Sequence, residues 1–178
     1  MPRLFTAIEV PESVALGLSL HRGGLPGARW IEPSDYHLTL RFLGDVDKRT
    51  AREIAESLDS VRGYAFELTI EGLDAFGGDR PRSIHAVIAP NPMLTELQEE
   101  HERAARRAGL PPEPRKFTPH VTLARLRGVS APAVADYLAM QGQVARQRFS
   151  VERFVLFSSR ASVGGGPYIA EELYPLGR

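Results

Sequence analysis

Apolar residues along this chain follow two different periods, and the changes of period mark the elements. Leu4 to Val10 is a nearly continuous apolar run that reads as a buried strand, ended by Pro11, whose fixed φ suits the first turn of a helix to about His21. Gly23-Gly24 and Pro26-Gly27 mark a loop. Tyr36 to Leu43 alternates and predicts a strand closed by Gly44-Asp45, after which Asp47 caps a helix to about Val61. Tyr64 to Ile70 and Ser83 to Ala89 read as two strands joined by a loop with Gly77-Gly78 and Pro81. Pro92 to Ala108 has helical spacing, with Glu96, Glu99, Glu100 and Glu102 ahead of Arg103, Arg106 and Arg107, the order that complements a helix dipole. Gly109, Pro111-Pro112 and Pro114 then make a stiff loop. Thr118 to Leu126 is another alternating strand, and Ser130 caps a helix to about Met140. Arg148 to Phe157 and Tyr168 to Leu176 are the last strands, separated by Gly164-Gly165-Gly166.

Residues 11–89 thus give helix, strand, helix, strand, strand, and residues 92–176 give the same order again. One short pattern occupies the same place in both: His37-Leu38-Thr39-Leu40 and His120-Val121-Thr122-Leu123. The expectation is a single α+β domain over 1–178, bilobal, with two lobes related by a pseudo-two-fold axis and the motif strands facing each other across a groove. Alternate strand residues share a face, so His37 and Thr39 project together, away from Leu38, Leu40 and Phe42. His120 and Thr122 do the same against Val121 and Leu123. Two facing imidazoles can begin a turnover with one ring neutral and the other protonated, and the hydroxyls of Thr39 and Thr122 can donate to phosphate oxygens. Arg41 has the parity to join them, or to stand as an exposed cation at the strand end. His21 and His101 are expected on exposed helix faces, and His85 either lines the cleft or sits satisfied in its sheet.

Composition narrows the chemistry. The formal net charge is zero, so no whole-molecule field recruits a polyanion and any attraction is local. All basic residues except Lys48 and Lys116 are Arg, which suits bidentate phosphate binding or reflects genome composition. Without cysteine there are no disulfides, thiol nucleophiles or thiolate metal sites. No His-x-Asp or His-x-His spacing occurs and the neighbours of each motif His are apolar, so a metallophosphoesterase is not expected, nor any cofactor. No signal-like h-region or long apolar run is present, which gives a cytoplasmic expectation with no membrane partner.

The stretches Arg3-Leu4-Phe5-Thr6-Ala7-Ile8, Arg29-Trp30-Ile31, His37 to Gly44, Phe117 to Arg125, Gly166-Pro167-Tyr168 and Tyr174-Pro175-Leu176 together resemble the two-histidine phosphoesterase superfamily. Within it the chain is similar to the RNA 2′,3′-cyclic phosphodiesterases, historically called 2′-5′ RNA ligases. The resemblance implies two antiparallel sheets around a V-shaped cleft. It also implies hydrolysis of RNA 2′,3′-cyclic phosphate ends to 2′-phosphomonoesters, with His37 as proton donor and His120 as proton acceptor. Arg125 enters as a further phosphate-binding residue, and weak ATP-independent 2′-5′ joining of RNA as the reverse reaction. The expected partner is RNA and the expected state a monomer.

Arg125 conflicts with regular strand parity, since five residues beyond His120 it should point to the opposite face unless the strand bends, bulges or ends there. Tyr168, Trp30 and Phe5 offer π-faces for a nucleobase, with Tyr168 beside the triple glycine the best placed. The loop from Gly109 to Arg115 and the Gly164-Gly165-Gly166 segment are candidate lids. The residues themselves leave open a different 2′-5′ or cyclic nucleotide substrate. They also leave open a non-catalytic RNA-end binding module gripping phosphate through Arg115, Lys116, Arg125 and Arg127.

Overall fold

The computed structural model describes residues 3–141, 143–159 and 167–177. Among them lie strands β1 (Arg3–Glu9), β2 (Ala28–Trp30), β3 (His37–Asp45), β4 (Phe66–Phe76), β5 (Ser83–Ile88), β6 (His120–Leu126), β7 (Gln147–Val151), β8 (Arg153–Ser159) and β9 (Tyr168–Pro175). The helices are α1 (Glu12–Ser19), α2 (Lys48–Leu58), α3 (Pro92–Arg107) and α4 (Ala131–Gln141). The strands run in the order β7-β4-β5-β6-β3-β1-β8-β9, with β2 paired to β6 beside this path and every ladder antiparallel.

At the centre β3 and β6 meet through one pair, Leu38 and Val121. The two sheets expected from the resemblance are therefore one network, pinched at a single pair into a first half of β3, β1, β8 and β9 and a second half of β6, β5, β4 and β7. Leu38, Leu40, Val121 and Leu123 all point to the helix side, where they are buried in the larger core cluster. Burial of each contributes roughly 1.5–3 kcal/mol. Their alternation is what leaves the histidines and threonines on the opposite, concave face.

Each repeat lends parts to the other. β4 and β5 of the first repeat pair with β7 and β6 of the second, and β8 of the second pairs with β1. Helix α3 packs on β3 and α2, whereas α1 packs near β7, where a Cβ on Gly17 would meet the Gln147 side chain at 2.7 Å. The single strand expected over Arg148 to Phe157 is in fact two, broken at Glu152, and they go to opposite ends of the sheet. Buried positions shift there from Phe149 and Val151 to Phe154 and Leu156, a change of parity that the apolar run from Phe154 to Phe157 conceals.

Asp47 caps α2 by accepting from the Thr50 amide at 2.7 Å, and Ser130 caps α4 by accepting from the Ala133 amide at 3.2 Å. Gly77 turns β4 into β5 at φ +111°, where an added Cβ would strike the Arg80 carbonyl. Trp30, a candidate base platform, instead packs with Tyr137 against the smaller core cluster, ring centroids 5.8 Å apart. His101 is likewise not exposed. It is 1% accessible within the buried stripe Leu94, Leu97, His101, Ala104 and Ala105, with Nδ1 2.8 Å from the Thr6 hydroxyl and its ring edge-on to Phe154. That stripe follows helical spacing and was the signal for its burial. His21 is half-buried and bonded to the Gln141 side chain.

Candidate active site

The extra residue that Arg125 requires is present, and it occurs twice. Along β3 Ala7 pairs with Thr39 but Thr6 with Arg41, so Leu40 is a bulge. Along β6 His85 pairs with Thr122 but Ile84 with Ala124, so Leu123 is a bulge at the equivalent place. One inserted residue reverses the parity beyond it. Arg125 thereby shares the concave face with His120 and Thr122, as Phe42 does with His37 and Thr39.

Cross-strand pairing then sets matching rows on that face. In the first half Phe42 pairs with Phe5 and Phe5 with Phe157; in the second Arg125 pairs with Ser83 and Ser83 with Phe76. Where one half places an aromatic pair, the other places a guanidinium and a hydroxyl.

The same bulge corrects the expectation for Arg41, which is turned to the helix side and is only 7% exposed. It donates to Glu102 at 2.6 Å and to the Phe42 and Pro111 carbonyls at 2.5 and 2.6 Å. Arg41 is thus neither a phosphate ligand nor an exposed strand-end cation. It joins the first motif strand to the loop that leads into the second. Glu102 also accepts from the Glu113 amide, so the Gly109 to Arg115 lid candidate is tied down at two points. The other lid candidate, Gly164-Gly165-Gly166, lies outside the described residues.

Both motif histidines are held the same way. His37 Nδ1 lies 2.8 Å from the Asp35 carbonyl and His120 Nδ1 2.7 Å from the Thr118 carbonyl. A carbonyl only accepts, so Nδ1 carries the proton in each ring and Nε2 is the nitrogen left for chemistry. The positions flanking the Leu38 and Val121 pair set His37 opposite Thr122 and Thr39 opposite His120. The histidines then stand on a diagonal, about 7–8 Å apart in a regular sheet, with the threonines on the other diagonal.

Burial lowers His37 to about 4; the Asp35 carbonyl opposes this, and the charges of Arg125 and His120 add to it. His120 is also lowered by burial, against its bond to Thr118. Two rings and a guanidinium that repel one another's charge make a place for an anion.

Each ring has an aromatic wall. His37 lies 5.0 Å from both Phe5 and Tyr168, and beside it is a recess of about 110 Å³ lined by Glu9, Ser34, Asp35, Phe157 and Tyr168 among others. His120 is flanked by Phe76 at 4.8 Å and His85 at 5.3 Å, with Phe76 and His85 stacked at 4.0 Å. His85 thus lies on the concave face, buried, and lowered to about 4 by that burial together with the His120 charge. Phe42, Ser83 and Phe76 were not singled out in the sequence, because their membership depends on the bulges and on pairings between repeats. Among the described residues no group of three or more His, Cys, Asp or Glu is placed to hold a metal ion.

The LigT-like phosphoesterase family model matches residues 8–85 and again 88–168, one copy over each motif. The chain belongs to the LigT-like phosphoesterase family. Its relatives include the RNA 2′,3′-cyclic phosphodiesterase of Aeropyrum pernix, 37% identical over 71% of this chain and 73% of that protein. Another is the RNA 2′,3′-cyclic phosphodiesterase of Thermotoga maritima, 33% identical over 93% of this chain and 91% of that one. Among solved structures, Escherichia coli LigT complexed with 3′-AMP superimposes with a TM-score of 0.83 over the full length of both chains at 23% identity, a likeness of fold. Among the described residues of this LigT-like chain, no helix is long and apolar enough to cross a membrane.

Proposed function

We propose that this protein hydrolyses RNA 2′,3′-cyclic phosphate ends to 2′-phosphomonoesters by acid/base catalysis between its two motif histidines, without a metal ion. The observation that carries this reading is the paired arrangement of His37 and His120, each with Nδ1 on a carbonyl two residues back and a threonine opposite. The relatives named RNA 2′,3′-cyclic phosphodiesterase support the substrate. Water attacks phosphorus while His120 Nε2 takes its proton, the bond from phosphorus to O3′ breaks, and His37 Nε2 gives its proton to O3′. The product is a 2′-phosphate beside a free 3′-hydroxyl. Thr39 and Thr122 donate to the non-bridging oxygens and Arg125 offsets the charge that grows on them. Tyr168 stacks on the terminal base. When the 5′-hydroxyl of a second RNA takes the place of water, gives its proton to His120 and bonds to phosphorus as O3′ leaves with the proton of His37, the same two roles give weak 2′-5′ joining of RNA ends without ATP. The protein acts as a cytoplasmic monomer.

The direct test is incubation of a short RNA ending in a 2′,3′-cyclic phosphate with the protein in EDTA, resolving the position of the product phosphate. Chelator-resistant release of a 2′-phosphate is the expected result. A 3′-phosphate would reverse the assigned leaving group, and binding without turnover would favour an end-binding module.

The pH profile follows from the lowered histidines. The productive form carries a single proton on the pair, and in the free protein both rings titrate below 6.5, His37 at about 4. Below both values each ring is protonated and no base remains; above both, no acid remains. kcat/KM is therefore expected to peak on the acid side of pH 6.5 and to fall about tenfold per unit at higher pH. The bound phosphate opposes the repulsion between the rings, so kcat peaks at a higher pH than kcat/KM. A kcat/KM that still rises above pH 8 would argue against a paired acid and base.

A further inference from the structure

We propose that Arg29, with Arg125 and Ser83, forms a second phosphate subsite that takes the phosphodiester on the 5′ side of the terminal nucleotide. The proposal deepens the functional reading above and rests on it for the identity of the chain that is bound. Arg29 lies on β2 and pairs directly with Arg125 of β6, while the next residues along, Trp30 and Ala124, pair with each other. Trp30 and Ala124 belong with the smaller core cluster on the helix side, so Arg29 and Arg125 point together to the concave face. Both are exposed.

Like charges directly opposite in an antiparallel pair destabilise a sheet, and here the pair stands at the mouth of the cleft. The row continues through Ser83 to Phe76. Arg82 and Arg127, also exposed, stand at the same end of β5 and β6. In a chain of zero net charge this is a local concentration of guanidinium groups, aimed along β6 away from His120. Arg125 lies three residues beyond Thr122, on the order of 10 Å along a strand, so Arg29 beside it reaches past the reacting phosphate. Arg125 stands between the two phosphates and its guanidinium bridges from the reacting one to this one, while the planar fork of Arg29 and the Ser83 hydroxyl serve the phosphodiester alone. The pseudo-symmetric half has Phe42 and Phe5 at the positions of Arg125 and Ser83, so only one side of the cleft can hold the backbone of an RNA chain in this way.

The experiment compares binding of adenosine 2′-phosphate with that of the dinucleotide ApA 2′-phosphate by calorimetry at two salt concentrations, for wild type, Arg29→Gln and Arg29→Lys. Wild type is expected to bind the dinucleotide about tenfold or more tighter. Arg29→Gln should reduce that advantage to below about threefold and the salt slope for the dinucleotide by about 0.7, whereas Arg29→Lys should recover part of it. An advantage unchanged in Arg29→Gln, an equal weakening of both ligands, or no advantage in the wild type would each overturn the subsite. Because binding is read without turnover, a wild type that hydrolyses no cyclic end yet keeps an Arg29-dependent preference would remove the proposed activity and leave the subsite standing.

Discussion

Replacing His120 by alanine is expected to lower kcat on an RNA 2′,3′-cyclic phosphate end by about 10³-fold while KM changes little. Positioned general acids and bases each contribute roughly 10²–10⁴-fold, and in-line opening of a cyclic diester needs one of each. His37→Ala should lose a comparable factor for the complementary reason, because the 3′ oxygen then leaves without a proton. Each ring is held by one carbonyl bond and its aromatic neighbours, so either truncation leaves the strand ladders intact. The two groups act as a unit, and the double variant should therefore lose little more than either single variant. Rapid-quench single-turnover assays with product analysis check this. Losses that appear mainly in KM would mean that the histidines grip phosphate rather than move protons, and fully additive losses would contradict a shared step.

Arg41→Met should be the most destabilising polar substitution near the site, costing about 2–4 kcal/mol and lowering the melting temperature by on the order of 10 °C. The guanidinium is almost wholly enclosed and serves three acceptors, the Glu102 carboxylate and the Phe42 and Pro111 carbonyls. Removing it leaves those carbonyls without their donor, although Glu102 retains Arg106 and the Glu113 amide. That retained support is why the cost falls below the upper range for broken buried pairs. Arg41→Lys should recover only a minority of the loss, since a single ammonium cannot span three acceptors spread over β3, α3 and the proline loop. Differential scanning calorimetry decides: a melting temperature within about 2 °C of wild type would show that the network contributes little.

The chain states a good deal of this plainly. The histidine and threonine pairs, the order of helices and strands apart from β2 and the division of β7 from β8, and the helix caps at Asp47 and Ser130 follow from local periods and local hydrogen-bond chemistry. What stays hidden depends on contacts between distant segments. The bulges at Leu40 and Leu123 have no local signature, because leucine fits a regular strand equally well, yet they decide that Arg125 and Phe42 face the cleft and Arg41 does not. Trp30 has a face suited to stacking and spends it on Tyr137 because β2 joins β6 in the register that turns Arg29 outward. His101 was legible in principle, since its helical spacing from Leu94, Leu97, Ala104 and Ala105 outweighs its charged neighbours.

The exchange of β4, β8, α1 and α3 between repeats also has a consequence for how the chain comes together. Neither repeat holds the strands and helices to complete a lobe around its own motif, because β8 and α3 of the second support β1 and β3 at the first motif, and β5 and β4 of the first support β6 and β7 of the second. A break in the turn at residues 77–82 would leave two fragments with open sheet edges and stripped cores, each finding its missing neighbours only in the other. The molecule is in this sense an obligate pair covalently joined, with each motif histidine walled by rings from the other repeat, Phe157 and Tyr168 against His37 and Phe76 and His85 against His120.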